Sequence, residues 1–303
     1  MDCLVIKLPG EVTDDSLRKL GEFIFDVTKR GNGTDYTKIN IQVYNGVLSM
    51  PIVRMTNGGK IYKTIGGEAL NELQLTYTGS SNNSFYIRAE NDCKMRIENA
   101  VNVSRLGWGF DELVFATALS NNSPFIKFPI SDDIVVFGNL RNIYHVVQDY
   151  SGDIEYISLL KNLTDFASNW AISLEGAIHN VKSNSLLNFS CTNTSLTGDI
   201  AEFMQNCPNV NTLQLNPYSG IIEYLGNGEM LTTATLQRVS LDFIFPQEQF
   251  GKLIKALSLC TYRSVALGGA IVRLRGDELT LTLDEQQALG VLKSKATVTI
   301  NAI

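Results

Sequence analysis

Apolar and polar residues alternate with a period of two through most of the first hundred positions. Lys38-Ile39-Asn40-Ile41-Gln42-Val43-Tyr44 is the cleanest case and predicts a half-buried strand. Strand-like runs also occur at Cys3–Leu8, which Pro9-Gly10 stops, and at Glu22–Val27, which Gly31-Asn32-Gly33 follows. Between them Asp14–Gly21 reads as a turn or a single helical turn, acidic at its start and basic near its end. Met50–Met55 and Lys60–Ile65 flank Thr56-Asn57-Gly58-Gly59, and Asn-Gly between two such runs predicts a hairpin. Leu73–Tyr77, Phe85–Arg88 and Met95–Ile97 continue the series, so residues 1–131 read as a β-rich N-terminal region. Leu113–Phe115 and Phe125–Phe128 look like two more strands, with which a repeat stack already begins in degenerate form.

From Ile134 the pattern changes to a longer period. A short phrase recurs at Ser151-Gly152-Asp153-Ile154, Glu175-Gly176-Ala177-Ile178, Thr197-Gly198-Asp199-Ile200 and Ser219-Gly220-Ile221-Ile222, its glycines 24, 22 and 22 residues apart. That spacing lies in the roughly 20–29-residue range of leucine-rich repeats. Gly152, Gly176, Gly198 and Gly220 are therefore the repeat-defining residues. Val210, Leu213 and Leu215 form the Leu-x-x-Leu-x-Leu step of a short strand, and Leu236, Val239 and Leu241 repeat it. Ile157, Leu160, Leu163 and Phe166 recur every third residue, as a tight turn on the convex side requires.

Residues 132–246 thus read as a short solenoid of about four to six parallel strands, only about 20–30 Å long. The remainder, 247–303, has helical spacing at Phe250, Leu253, Ile254 and Leu257, and then a strand at Ile271–Leu274. Thr282 and Glu285 make a capping box opening a helix over Leu283–Lys293, and Ala296–Ile300 closes as a strand. The expected fold class is α+β and β-rich: a β-rich N-terminal region, a short leucine-rich-repeat solenoid, and a strand–helix–strand C-terminal cap covering the last repeat.

Composition narrows the classes of function. The 303 residues carry 44% hydrophobic side chains and a net charge of −6, with a pI near 5.1. An acidic chain without a basic stripe argues against nucleic acid as partner. Apolar runs are short, far from the ~20 residues of a membrane span, and the first residues lack the features of a signal peptide. Synthesis in a reducing cytoplasm is expected, with Cys3, Cys93, Cys191, Cys207 and Cys260 as scattered core thiols rather than disulfides or metal ligands.

Candidate chemistry is sparse. His145 and His179 have neither a Ser/Asp constellation nor a ligand-spaced partner, and read as surface or cap residues. Asp14-Asp15 and Asp132-Asp133 suit turns better than paired-carboxylate chemistry. Gly66-Gly67 and Gly268-Gly269 lack the residues of a phosphate cradle. Asn32, Asn102 and Asn193 open chance sequons, and Trp108 and Trp170 read as core or rim aromatics. No catalytic, cofactor-binding or metal residue is expected, so the chain reads as a non-enzyme without cofactor.

Leu196-Thr197-Gly198-Asp199-Ile200, followed by Val210, Leu213 and Leu215, resembles repeats of the Leu-x-Gly-x-Ile type. Ala177 and Ile221 depart from that phrase, which predicts irregular second and fourth repeats. The opening Ile6–Val12 and Leu17–Glu22, and the ending Asp284–Ile300, are similar to the two ends of leucine-rich-repeat proteins of phages and prophages of gut Bacteroidetes-type bacteria. The resemblance does not extend to about 31–131. It implies a virion structural protein (head-fibre, capsid-decoration or tail-associated component), made in the host cytoplasm and located in the virion. Its implied partners are other capsid or tail proteins, further copies of itself, and a host-surface ligand. The alternative is a bacterial leucine-rich-repeat adhesin or protein-interaction module. On either reading the N-terminal region and the lateral edges are the expected contacts, with the repeats as a spacer.

Overall fold

The computed structural model describes residues 21–43, 50–75, 83–106, 116–144, 150–169 and 171–302. The strands expected at Cys3–Leu8 and Leu113–Phe115, and the turn from Asp14 onward, lie outside them. The described residues form a strand-rich α+β fold with few helices, arranged mainly as a 7-stranded and a 13-stranded sheet.

Period two decides which face each N-terminal strand buries. In Glu22–Thr28 the side chains of Phe23, Phe25 and Val27 point inward, while Ile24, Asp26 and Thr28 stay exposed. That strand lies between Cys93–Glu98 and Phe125–Ile130, antiparallel to both. Thr37–Val43 pairs in the other sheet with Asn83–Ala89 and Val103–Leu106. Partners are therefore distant in sequence.

The hairpin expected across Asn57-Gly58 does not form. Ile52–Met55 pairs with Cys93–Glu98 and Glu72–Gln74 in the smaller sheet, whereas Gly59–Tyr62 pairs with Asn83–Ala89 and Ala69–Leu70 in the larger. The turn itself is present, closed by Gly59 N–H donating to the Thr56 carbonyl at 3.0 Å, with Gly58 at φ +96°. It carries the chain from one sheet to the other. The physical reason is burial: Val53 and Ile61 are both fully buried and face one core from its two sides.

Two strands convert antiparallel pairing into parallel pairing. Val103–Leu106 is antiparallel to Thr37–Val43 and parallel to Asn142–Tyr144. Phe125–Ile130 is antiparallel to Glu22–Thr28 and parallel to Tyr150–Asp153. Parallel pairing thus begins before residue 132. From there the larger sheet adds Asp165–Asn169, Asn188–Thr194, Thr212–Pro217, Arg238–Ile244, Ile271–Arg275 and Thr297–Asn301, all parallel. The register partners Asn142, Asp165, Asn188, Thr212, Arg238, Ile271 and Thr297 step by 23, 23, 24, 26, 33 and 26 residues. At ~4.8 Å per strand the eight parallel strands span roughly 34 Å, longer than the sequence suggests.

Apolar side chains stack in rows through this ladder. Leu106, Ile143, Phe166, Phe189, Leu213, Val239 and Val272 are register partners, and all are fully buried. Phe166 therefore belongs to a strand, not to the convex turn; the three-residue spacing from Ile157 runs into the strand by coincidence of phase. An aromatic file ties the rows to the N-terminal strands. Ring centroids are 5.4 Å apart for Phe23–Phe128, 5.6 Å for Phe128–Tyr150, 5.7 Å for Tyr150–Phe166, 5.8 Å for Phe166–Phe189 and 4.8 Å for Phe189–Phe203. One apolar cluster runs from Phe23 to Leu292, so residues 131/132 and 246/247 mark changes of connectivity within a continuous core.

Among the described residues three α-helices pack on the inward side. Ile200–Asn206 starts at Asp199, whose carboxylate accepts from the N–H of Ala201 and Glu202. Gln247–Leu259 buries Phe250, Leu253, Ile254 and Leu257, the residues whose spacing announced it. Leu283–Lys295 opens on the Thr282/Glu285 capping box and packs against the preceding helix. The last two strands, with the helix between them, pack onto the final repeat strand. They continue the ladder, because Val272, Leu274, Val298 and Ile300 extend the two inward rows, and Thr297–Asn301 stands at the sheet edge.

Candidate recognition surface

Parallel strands are usually buried on both faces and read as continuous apolar runs. Here only one face is apolar. The three α-helices of the described residues bury their apolar side chains on the inward side, and the outward face of the ladder is mainly polar. One outward row runs Asn142, Asp165, Asn188, Thr212 and Arg238; the next runs Ser190, Gln214, Ser240, Arg273 and Thr299. Small hydroxyls and amides dominate, with Ala167 and Ile271 as apolar members, and arginines stand near both ends: Arg105 beside Asn142, and Arg238 and Arg273 in the C-terminal strands.

Asp165, like Ala167 two residues on, is buried on this face, at 8% exposure. Its two carboxylate oxygens accept from Asn142 Nδ2 on one neighbouring strand and Asn188 Nδ2 on the other, and Thr164 Oγ1 donates at 2.6 Å. A carboxylate with both oxygens so engaged clamps three strands together. Elsewhere asparagines bind repeats at the inner turns. Asn139, Asn162 and Asn209 donate Nδ2 to the carbonyls of Val101, Gly138 and Asn184, each in the preceding repeat. Neither device was singled out from the sequence. An Asn or Asp at the same phase of successive 23-residue steps is the signal that could have found them.

The repeat glycines lie in or beside short strands away from the ladder: Gly152 in Tyr150–Asp153 of the 7-stranded sheet, Gly176 just after Leu174–Glu175, Gly198 in the two-stranded sheet of Gly198–Asp199 with Ile222–Glu223, and Gly220 just before Ile222. Gly152, Gly176 and Gly198 have φ of +96°, +99° and +114°, the left-handed half of the map that favours glycine. Gly220 is not at positive φ, and the register partner of Gly198 is Ile222 rather than Gly220. It is close-packed for another reason: a Cβ there would sit 1.7 Å from the Leu196 carbonyl oxygen. The glycines shape the turns and bring no chemistry together.

The other candidates disperse. His179 Nδ1 accepts from the Asp199 N–H at 3.1 Å, a turn contact. Asp132 and Asp133 open a 3-10 turn and are exposed. His145, Trp108, Trp170, Cys3, Asp14 and Asp15 lie outside the described residues. Cys93, Cys191, Cys207 and Cys260 are free and buried, and burial raises each thiol pKa, to about 11 for Cys93 and Cys207. Among the described residues no three His, Cys, Asp or Glu side chains converge on a metal-sized site, and no helix is long and apolar enough to cross a membrane.

Two concavities lie away from the polar face. One, about 690 Å³, is bordered by Asp26, Thr28, Asp92, Lys94 and Lys127, and its charges offset one another, with Lys94 Nζ 3.6 Å from Asp26. The other, about 530 Å³, is bordered by Lys161, Lys182, Ser158, Ser183 and Asn206. Its polar groups largely serve the backbone: Lys161 Nζ donates to the Ser158 carbonyl, and Ser158 Oγ accepts from the Lys182 N–H.

No protein family and no curated protein matches the chain. Among solved structures, the plant peptide hormone receptor RGFR1 in complex with RGF2 matches 58% of this chain at 17% identity and a TM-score of 0.28. This chain spans 22% of that receptor's length. The likeness is too slight to carry an assignment of fold or function.

Proposed function

We propose that the chain is a non-enzymatic recognition and assembly protein built on a short leucine-rich-repeat-type solenoid. The observation that carries this reading is the single-sided ladder. Among the described residues a parallel sheet of seven register steps has its α-helices on one side and presents mainly polar side chains along successive strands on the other. Such a face suits the docking of a macromolecule better than the enclosure of a small substrate.

The similarity of both chain ends to repeat proteins of phages adds the setting: a head-fibre, capsid-decoration or tail-associated component, contacting other virion proteins and further copies of itself. Mass spectrometry of purified virions tests that setting. Its peptides should co-purify with intact particles through a density gradient. Particles lacking the chain would move the reading to the bacterial adhesin or interaction-module alternative.

A further inference from the structure

On the neighbouring ladder strands Arg238–Ile244 and Ile271–Arg275 the polar face gains positive charge. Arg238, Arg273 and Arg275 project from neighbouring strands, and Arg263 joins them at the near end, its Nη1 3.4 Å from Gln237 Oε1. Arg238, Arg263 and Arg273 are exposed and Arg275 half-buried. Elsewhere Arg54, Lys60, Lys94, Arg96, Lys252 and Lys293 each hold a carboxylate. Among the described residues none of these four arginines does. Asp242, exposed on the strand of Arg238, is the carboxylate bordering the stripe.

We propose that this stripe is a docking site for an extended polypeptide carrying carboxylates at alternate positions. Arg273 and Arg275 lie two residues apart on one strand, hence about 6.6 Å along it, and Arg238 lies about 8 Å from Arg273 on the diagonal. An extended chain places its own alternate side chains at the same ~6.6 Å interval and on the same side. Ser240 and Thr299 flank Arg273 in register, Asn301 and Ile244 flank Arg275, and Thr212 and Ile271 flank Arg238, so each of these three arginines has a hydroxyl or amide residue on one neighbouring strand. A guanidinium fork grips a carboxylate through two parallel hydrogen bonds.

Nucleic acid fits less well. The whole chain is acidic at −6, and no aromatic side chain stands among Arg238, Ser240, Arg273, Arg275, Thr297 and Thr299 to stack a base. The inference names a partner chemistry for the recognition face proposed above. A chain found in virions but indifferent to acidic peptides would overturn this inference alone.

The test is fluorescence anisotropy with a labelled octapeptide of alternating Glu and Ser. The comparison probes are a peptide of the same composition with its Glu residues blocked together, a Lys/Ser analogue and a short oligothymidylate. The alternating peptide should bind best, and raising salt from about 50 to about 300 mM should weaken it several-fold. R238E/R273E should weaken it by about tenfold or more, and K182E, remote from the stripe, by less than about twofold. Circular dichroism melting establishes that the variants are folded. Should the double variant misfold, hydrogen exchange on the wild-type chain replaces it, with peptide-induced protection expected at 238–240 and 271–275. Absence of binding, equal loss in K182E, or protection elsewhere overturns the proposal. Tighter binding of the oligothymidylate reassigns the stripe to nucleic acid. Self-association that R238E/R273E abolishes reassigns it to a second copy of the chain.

Discussion

Three glycine substitutions separate the two reasons a repeat needs glycine. Gly152 and Gly268 share nearly the same backbone angle, φ +96° and +98°, so alanine at either meets comparable backbone strain. That strain amounts to about 1–3 kcal/mol. Their surroundings differ completely. A Cβ on Gly152 would lie 2.1 Å from the Ile130 carbonyl oxygen, whereas one on Gly268 meets nothing within 4 Å. Carbon–oxygen contacts settle near ~3.3 Å, so the Ile130 carbonyl must withdraw by about 1.2 Å. It can do so only by parting two paired strands, since Ile130 and Gly152 are register partners.

Overpacking of that kind adds about 1–3 kcal/mol. Gly268→Ala should therefore cost about 1–3 kcal/mol, and Gly152→Ala about 2–6 kcal/mol. Gly220→Ala completes the set: its φ is ordinary but its Cβ would meet the Leu196 carbonyl, so it reports the steric effect alone. Urea denaturation at 25 °C, followed by far-ultraviolet circular dichroism, gives the three values. Equal losses for Gly152→Ala and Gly268→Ala would refute the claim that repeat stacking, rather than local turn geometry, fixes the glycine phrase.

Phe166→Ala should cost about 3–5 kcal/mol, and hydrogen exchange should quicken together at Phe25 and Leu213 because one core contains both; quickening confined to the ladder would contradict that continuity. Asp165→Ala strips the acceptor from two asparagine amides and should lower stability by about 2–4 kcal/mol, with Asp165→Asn milder, as thermal melting will report. Ser168 is fully buried with no hydrogen-bond partner for its hydroxyl, so Ser168→Ala should be neutral or stabilising by up to about 1 kcal/mol in the same assay. The raised thiol pKa values of Cys93 and Cys207 predict falling stability as pH climbs from about 9 to about 11. In that window the unfolded chain has lost protons that the folded one keeps. Urea midpoints measured across it, with and without Cys207→Ala, should show the substitution flattening the slope; identical slopes would rule the thiol out.

Much of the architecture is legible before any coordinates, where the determinants are local. Alternation assigns Phe23, Phe25, Ile39 and Ile41 to the interior, because successive strand side chains point to opposite faces. Helical spacing finds Gln247–Leu259, and a reciprocal pair of hydrogen bonds makes the start of Leu283–Lys295 readable from Thr282 and Glu285. The glycine phrase finds the repeat. It cannot show that Gly220 is out of step, since that depends on whether Gly198 pairs with Ile222, a choice made by neighbouring repeats.

The polar face is legible only in part for the same reason. Each strand's polar residues are visible in sequence, but Asp165 becomes a clamp only between Asn142 and Asn188, and the arginines become a stripe only when Arg238–Ile244 and Ile271–Arg275 are neighbours. By itself the sequence determined which face of many strands is apolar, where several turns fall and that a repeat of about 22–24 residues runs through the middle of the chain. Tertiary structure alone decided that Asn57-Gly58 joins two sheets instead of a hairpin, that the C-terminal strands lengthen the ladder, and that both sheets cross from the N-terminal strands into the repeats. A period of two fixes the face a residue occupies; only the shared burial of distant strands fixes the neighbour it meets.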